Sequence, residues 1–258
     1  MSQSASSGFP YRRIVDDLRR EILSGRLQPG EQLPSENDLA AKYTTSRPTV
    51  RRAIAVLRGD GLVITEQGRG AFVRRKPHVR FRLEGANYRR HRRSGLPGFN
   101  AQASEQGQTP RQRLLEVTSV PADAEIALRL NLDSGEPVVV RRRLFIVDDQ
   151  PMALCNSYYP STMAAGTAIA DMRLIKGGAH AVIEDPDGSI RRSIARSVDE
   201  LVARMPTIAE VDALALSPGE PVVRIVRTVF DTTDTPVEVQ ETIAAADRHE
   251  FRYEVSMR

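Results

Sequence analysis

Arg47, Thr49, Arg51 and Arg52 crowd the start of one helical run, directly after Ser46. A guanidinium in that position can hold guanine O6 and N7 through two parallel hydrogen bonds in the major groove of DNA, each good pair discriminating by about 1–3 kcal/mol. Ser35 and Ser46 stand where helices begin. Helix N-termini offer free amides and a positive dipole end to phosphates. Further on, Gly68-Arg69-Gly70 places an arginine between two residues that let backbone come close to a duplex. Other chemistries find little support. The four histidines (His78, His91, His180, His249) lie far apart, with no partner at metal-ligand spacing, and no Ser/His/Asp set or phosphate loop is visible. No metal, cofactor or catalytic residue is expected.

The elements that must position these side chains can be read from apolar spacing. Ile14, Val15, Leu18, Ile22 and Leu23 give one buried stripe over a helix at 11–23, and Gly25 with Gln28-Pro29-Gly30 ends it. Ser35 followed by Asp38 suits a capping box for a second helix, with Leu39, Ala40 and Tyr43 inward. After Thr44-Thr45, Ser46 is the expected N-cap of a third helix, with Pro48 in its first turn and Val50, Ala53, Ile54 and Leu57 on its core face. Gly59-Asp60-Gly61 stops it. Residues 62–65 and 71–73 then read as hairpin strands around Gln67-Gly68-Arg69-Gly70. The expected product is a winged helix-turn-helix.

The chain has 258 residues, room for one large or two small domains, and a hydrophobic content of 40% is enough for a packed core. No apolar run approaches bilayer length, the N-terminus lacks a signal-peptide layout, and the single cysteine, Cys155, fits a reducing compartment, so the expected location is the cytoplasm. Net charge is +4 but unevenly placed. Residues 1–76 carry 14 Lys/Arg against 8 Asp/Glu, residues 77–113 carry 8 against 2, and residues 114–258 carry 15 against 23. A basic front and an acidic rear point to a polyanion partner at the front only.

The front of the chain resembles the DNA-binding domain of the GntR family of bacterial transcription regulators. The resemblance is carried by LPSE at 33–36, SRPTVRRAI at 46–54, LRGDGLV at 57–63 and GRGAFV at 68–73. It implies DNA contacts from Asn37, Ser46, Arg47, Thr49, Arg51, Gly68, Arg69 and Gly70, to which the reading of the helix starts and charge adds Ser35 and Arg52. Pro48 stands where some members of the family carry a hydroxyl-bearing contact residue. The expected organisation is a reader at 9–76, a basic linker and start of the sensor at 77–113, and a sensor at 114–258. The linker reading rests on Tyr88-Arg89-Arg90-His91-Arg92-Arg93 and the Pro, Gly, Gln and Ser that follow, and its arginines are candidates for phosphate contacts.

The rear contains an internal duplication. Leu130, Leu132, Gly135, Glu136, Pro137, Val138, Val139 and Arg143 match Leu214, Leu216, Gly219, Glu220, Pro221, Val222, Val223 and Arg227 at an offset of 84, and one inserted residue brings Pro151 onto Pro236. Each copy reads helix, Gly-Glu-Pro turn, long strand, Asp-rich hairpin, strand. Two such copies should build one antiparallel sheet with helices packed on it, an α+β domain, with a ligand pocket expected at the pseudo-symmetric seam.

This part is similar to the UTRA effector-binding domain of the HutC-type branch of the GntR family, through LLEVTSVPADAEIALRLNLDSGEPVVVRRR at 114–143, NSYYP at 156–160 and ADRHEFRYEV at 246–255. The resemblance implies a fold like that of chorismate lyase, without its activity, and dimerisation through this domain. The departures carry information. Aligned on Pro151, the Arg-x-Arg of sugar-phosphate sensors falls on Arg143 and Phe145, a common glutamate falls on Cys155, and a hydroxyl-rich loop reads Gly98-Phe99-Asn100. Arg141 lies on the same strand face as Arg143. With Ser157, Tyr158 and Glu241, these residues are the expected effector contacts. A ring for a cation and a thiol for an acid favour a less charged, more apolar effector than a sugar phosphate.

The expected function is therefore a homodimeric repressor that binds an inverted-repeat DNA operator, with half-sites of GT/AC core implied by the resemblance, and is released by a small molecule. A repressor that needs no ligand is the first alternative. A small-molecule enzyme fused to a DNA anchor is the second, and nothing at catalytic spacing supports it.

Overall fold

The computed structural model describes residues 9–66, 68–74, 98–217 and 219–253, together with the backbone of 81–84. The chain divides into two compact units, one of residues 1–78 with 217–220 and one of 79–216 with 221–258. The arginine run at 89–93 lies outside the described residues.

In the first unit, helix α1 (Pro10–Leu23) opens with proline in its first turn, where a missing amide hydrogen costs nothing, and turns Ile14, Val15 and Leu18 inward. Helix α2 (Glu36–Lys42) starts with the expected capping box: Asp38 N–H donates to Ser35 Oγ at 3.2 Å, and the Ser35 amide donates back to the Asp38 carboxylate at 3.3 Å. Helix α3 (Arg47–Gly59) buries Val50, Ala53, Ile54 and Leu57. Ser46 occupies its N-cap position but makes no bond to the backbone; its hydroxyl meets Thr49 Oγ1 at 3.0 Å instead. These helices close on a core of Ile14, Leu18, Leu39, Val50 and Leu57, each with no exposed surface. Full burial of such side chains stabilises by about 1.5–3 kcal/mol apiece.

Strands β1 (Val63–Glu66) and β2 (Gly70–Val73) form the antiparallel wing, with Val63 opposite Val73. The segment after α1 runs along β2 as a third edge. Leu33 N–H donates to the Ala71 carbonyl at 2.8 Å and Val73 N–H to the Glu31 carbonyl at 2.7 Å.

The second unit is built on a six-stranded antiparallel sheet in the order β4-β5-β6-β9-β8-β7. Its members are β4 (Pro110–Pro121), β5 (Pro137–Val147), β6 (Gln150–Pro160), β7 (Ile194–Arg204), β8 (Val222–Asp231) and β9 (Pro236–Ala245). The duplication is plain in this order: β4-β5-β6 and β7-β8-β9 are two copies meeting at the β6–β9 pair, where Cys155 faces Thr242. Between the first and second strands of each copy lies a short helix, α5 (Ala124–Leu130) or α8 (Ile208–Leu214). The two helices even end alike. Asp123 caps α5 and Thr207 caps α8 through a side-chain oxygen, and each helix stops at a residue in the left-handed conformation, Asn131 and Ala215. The first hairpin turns on Asp148 and Asp149, both at positive φ, the twist a tight antiparallel turn requires.

Helices α5 and α8 pack on one face of the sheet, α5 over Val138, Val226 and Val239, and α8 over Leu144, Val222 and Ile243. The other face is covered by helix α4 (Gly98–Glu105) and by the chain that follows β6, which includes the short helices α6 (Ser161–Ala164) and α7 (Ala179–Ile183). Strand β10 (His249–Arg252) pairs in parallel with β3 (Phe81–Glu84), outside the main sheet. The stretch read from sequence as linker thus holds β3, α4 and the start of β4. Its Pro, Gly and Gln content hid a helix whose buried face is only Ala101, Gln102 and Ala103. Among the described residues no helix is long and apolar enough to cross a membrane, and no group of His, Cys, Asp and Glu is placed to hold a metal ion.

Candidate DNA-reading surface and effector pocket

On α3, the positions that do not face the core present the candidate readers outward. The Arg47 and Arg51 side chains are 55% and 61% exposed, and the charged end of each meets Glu36 at the start of α2. Arg51 Nε lies 2.9 Å from both carboxylate oxygens, and Arg47 Nη2 lies 3.1 Å from one of them. The Arg51 hydrogen bond, opposed by burial and aided by Arg47, holds the Glu36 carboxyl below the usual carboxylate range. Asn37 is exposed beside Glu36, and Ser35 and Ser46 are exposed at their helix starts, while Thr49 is half-buried. Arg52 is exposed on the same helix. Its guanidinium lies 4.2 Å from the centroid of the Tyr11 ring on α1, a cation–π contact that ties α3 to α1.

In the wing, Gly68 and Gly70 both have positive φ, and a Cβ on Gly70 would come within 2.9 Å of Gln32 Nε2. That amide donates to the Arg69 carbonyl at 2.7 Å, so the tip is held from below. Arg69 projects from it, 72% exposed, bonded to Glu66 and lying over the Phe72 ring.

In the second unit, a cavity is lined by Asn100 of α4, Gln112 of β4, Arg141 and Arg143 of β5, and Leu174, Ile175, Gly178 and Ala179 of the segment that follows β6. It lies over the first copy of the duplication and not at the seam. The reason is that only the first copy is followed by a covering segment; after β9 the chain passes through a single 3-10 turn, Ala246–Arg248, into β10.

Period-two alternation sorts the seven of the nine candidate effector residues that lie on strands. Arg141, Arg143 and Asn100 line the cavity. Phe145 does not: it is 7% exposed and stacks on Phe99, with ring centroids 4.3 Å apart, forming a wall behind Arg143, whose guanidinium lies 5.4 Å from the Phe145 centroid. Cys155 and Ser157 are fully buried and support Arg143, which donates to Ser157 Oγ at 2.5 Å and to Cys155 Sγ at 3.1 Å. Burial pushes the Cys155 thiol up, against the pull of Arg143. Tyr158 and Glu241 point to the opposite face. Tyr158 packs with the α5 cluster, and Glu241 accepts from Arg224 at 2.6 Å and Asn156 at 3.4 Å. A one-residue step along a strand reverses the face, which is why the Ser-Tyr pair cannot serve one pocket together.

Arg141 is spent on backbone. Its Nη1 donates to the carbonyls of Ile169 at 2.7 Å and Asp171 at 2.9 Å, and its Nη2 to that of Arg173 at 2.6 Å. It fixes the covering segment and is not a spare cation. Beneath the segment, Glu238 is buried and bonded to His180 and to the Tyr159 hydroxyl, the latter at 2.7 Å. Burial alone would raise the Glu238 carboxyl; His180, Tyr159 and Arg143 outweigh it and bring it down to about 2.

Sequence reasoning missed Glu36, Gln112 and the 174–179 lining. Glu36 had a signal, an acid eleven residues before Arg47 beside the N-cap serine. The 174–179 loop had none, because its place over β5 is set by tertiary packing.

Comparison with known proteins agrees with this architecture. Residues 10–73 match the model of the bacterial regulatory proteins of the gntR family, and residues 105–250 match the UTRA domain. An uncharacterized HTH-type transcriptional regulator of Streptomyces coelicolor is 32% identical over 95% of this chain and 91% of its own length. The HTH-type transcriptional repressor NagR of Bacillus subtilis is 28% identical over 97% of both chains. A crystal structure of a GntR-family transcriptional regulator superposes with a TM-score of 0.68 at 26% identity, covering 97% of this chain and 98% of that one. Matched in both units, this chain belongs to the GntR family, in the branch that joins a winged helix-turn-helix to a UTRA effector-binding domain, and is a DNA-binding transcriptional regulator and not an enzyme.

Proposed function

We propose that this chain is a homodimeric repressor that binds an inverted-repeat operator in the cytoplasm and leaves it when a small molecule fills the cavity beside Arg143. The reader is 9–76, and the sensor is 114–258 together with the part of 77–113 that starts it and supplies Asn100 and Gln112 to the cavity. Operator contacts come from Ser35, Asn37, Ser46, Arg47, Thr49, Arg51 and the wing residues Gly68, Arg69 and Gly70. The observation that carries the reading is the presence in one chain of an arginine-bearing helix start with 55–61% exposed guanidinium side chains and a separate cavity beside a half-buried cation. Repression is supported by the likeness to NagR, itself named a repressor. A second copy is supported by the edge strand β7, which exposes Val198, Leu201 and Val202 to solvent, with Met205 and Ile208 beyond it.

The effector is not a sugar phosphate. Phe145 offers a ring where a second cation would serve a phosphate, and Arg141 has its donors committed to carbonyls. Occupancy of the cavity acts on DNA affinity through the difference in ligand affinity between the bound and free states of the regulator.

Selecting operators from random DNA and weighing the complex tests this. Two chains on two half-sites, one helical turn or a multiple apart, released by a fraction of a metabolite extract, are expected. One chain on one half-site contradicts the dimer. A complex that no metabolite dissociates contradicts release and leaves a ligand-independent repressor.

A further inference from the structure

We propose that the effector is a small organic monocarboxylate, its carboxylate held by the Arg143 guanidinium and its apolar body by Leu174, Ile175 and Ala179. The proposal rests on the reading of the cavity as the effector site and names the chemical class that site takes.

The charges on this face of the sheet carry the argument. Arg227 is answered by Asp199, through two bonds of 2.7 Å. Glu238, buried on this face, is engaged by His180 and Tyr159, and Arg143 acts on it from beyond ion-pair distance. Arg141 has its charge solvated by the carbonyls of the covering segment. Arg143 is different. Among the described residues no carboxylate lies within ion-pair distance of it, its Nη2 is met only by a serine hydroxyl and a thiol, and its buried Nε–H has no acceptor. The thiol is neutral, since burial raises its pKa. A guanidinium that lines a cavity and has no carboxylate partner there is stabilised by an anion that accepts from its fork.

The rest of the lining limits that anion. Gln112 and Asn100 are the neutral polar side chains at the wall, and they are bonded to each other at 2.7 Å. Two amides are few partners for a polyol, whose buried hydroxyls each cost free energy when unpaired. Leu174, Ile175 and Ala179 add an apolar wall. A phosphate monoester carries a charge of about −1.5 to −2 at neutral pH and three acceptor oxygens, and one available guanidinium does not satisfy it. One negative charge on a planar, two-oxygen group with an apolar body fits what is there.

The test uses the full chain and three probes with one isobutyl body, isovalerate, isovaleramide and isobutyl phosphate, followed by calorimetric titration and thermal unfolding. Isovalerate is expected to bind and raise Tm, and the amide and the phosphate to bind at least ten-fold more weakly. Arg143→Gln is expected to lower isovalerate affinity by roughly ten- to a hundred-fold, the range of a lost charged hydrogen bond. If that variant does not fold, Arg143→Lys serves: it keeps the preference for acid over amide and loses affinity with the fork. Equal binding of acid and amide, tighter binding of the phosphate, no binding of isovalerate, or an Arg143→Gln variant that binds isovalerate undiminished each overturns the proposal. Operator release is read separately by anisotropy. A carboxylate that binds through Arg143 without weakening the operator complex contradicts release and leaves the ligand class standing. A neutral or phosphorylated metabolite that fills the cavity and releases DNA does the reverse.

Discussion

Glu36 and Arg51 face each other across the turn between α2 and α3, with Arg51 Nε 2.9 Å from both carboxylate oxygens. Arg47 joins the same carboxylate at 3.1 Å. Two arginines proposed to read the major groove are therefore oriented by one acid before DNA arrives, and that acid also adds a negative charge to the surface proposed to meet phosphate.

Replacing Glu36 by glutamine separates these effects. Affinity for random duplex should rise, because like-charge repulsion of phosphate is removed. The operator-to-random ratio should fall, because the arginines lose the partner that fixes their rotamers. Anisotropy titrations on both duplexes check this. An unchanged ratio would mean that Glu36 acts through charge alone.

Arg47→Ala and Arg51→Ala should each cost about 1–3 kcal/mol on the operator and much less on random DNA. Arg69→Ala, at the wing tip, should weaken both more evenly and make binding less steeply salt-dependent. Equal effects of all three changes on both duplexes contradict these roles.

Arg52→Ala should act on the fold of the reader. The guanidinium sits 4.2 Å from the Tyr11 centroid, a contact worth about 0.5–1 kcal/mol when exposed. Denaturant unfolding should show a loss of that order with the operator-to-random ratio kept. A collapse of the ratio would return Arg52 to the reading set.

Acid should weaken the sensor in a defined window. Burial, opposed by a bond to the Ala245 carbonyl, brings His249 down from 6.5 to about 4. The unfolded chain therefore binds a proton that the folded one refuses between these values. Stability from this group is present above about 6.5 and lost as pH falls toward about 4, by about 3 kcal/mol in all. His249→Phe should flatten that part of the pH–stability curve. An unchanged slope between pH 6.5 and 4 would show that His249 is not held neutral.

What the sequence revealed and what it hid follow from the range of the forces involved. The reader was legible almost residue by residue, since its caps, its 3.6-residue stripe and its turn glycines act locally: the Ser35–Asp38 box and the core set Val50, Ala53, Ile54 and Leu57 stand as expected. The two-copy sheet was legible because duplicated residues fold alike, down to the ends of α5 and α8. The pocket was legible only in part. Arg141 and Arg143 share a strand face, as alternation requires, yet alternation could not tell that carbonyls 169–173 would claim Arg141. The same rule, applied to β6 and β9, separates Tyr158 and Glu241 from Cys155 and Ser157. Helix α4 went unread because a short Ala-Gln stripe carries little periodic signal.

The most direct test of the central claim is fluorescence anisotropy with the DNA just upstream of this chain's own gene, against a scrambled duplex, at several salt concentrations. Tight, salt-sensitive binding with clear preference for the native fragment, weakened when isovalerate is added, is the predicted result. Equal and weak binding to both fragments, with a winner from random-sequence selection also failing to bind more tightly than scrambled DNA, would contradict it.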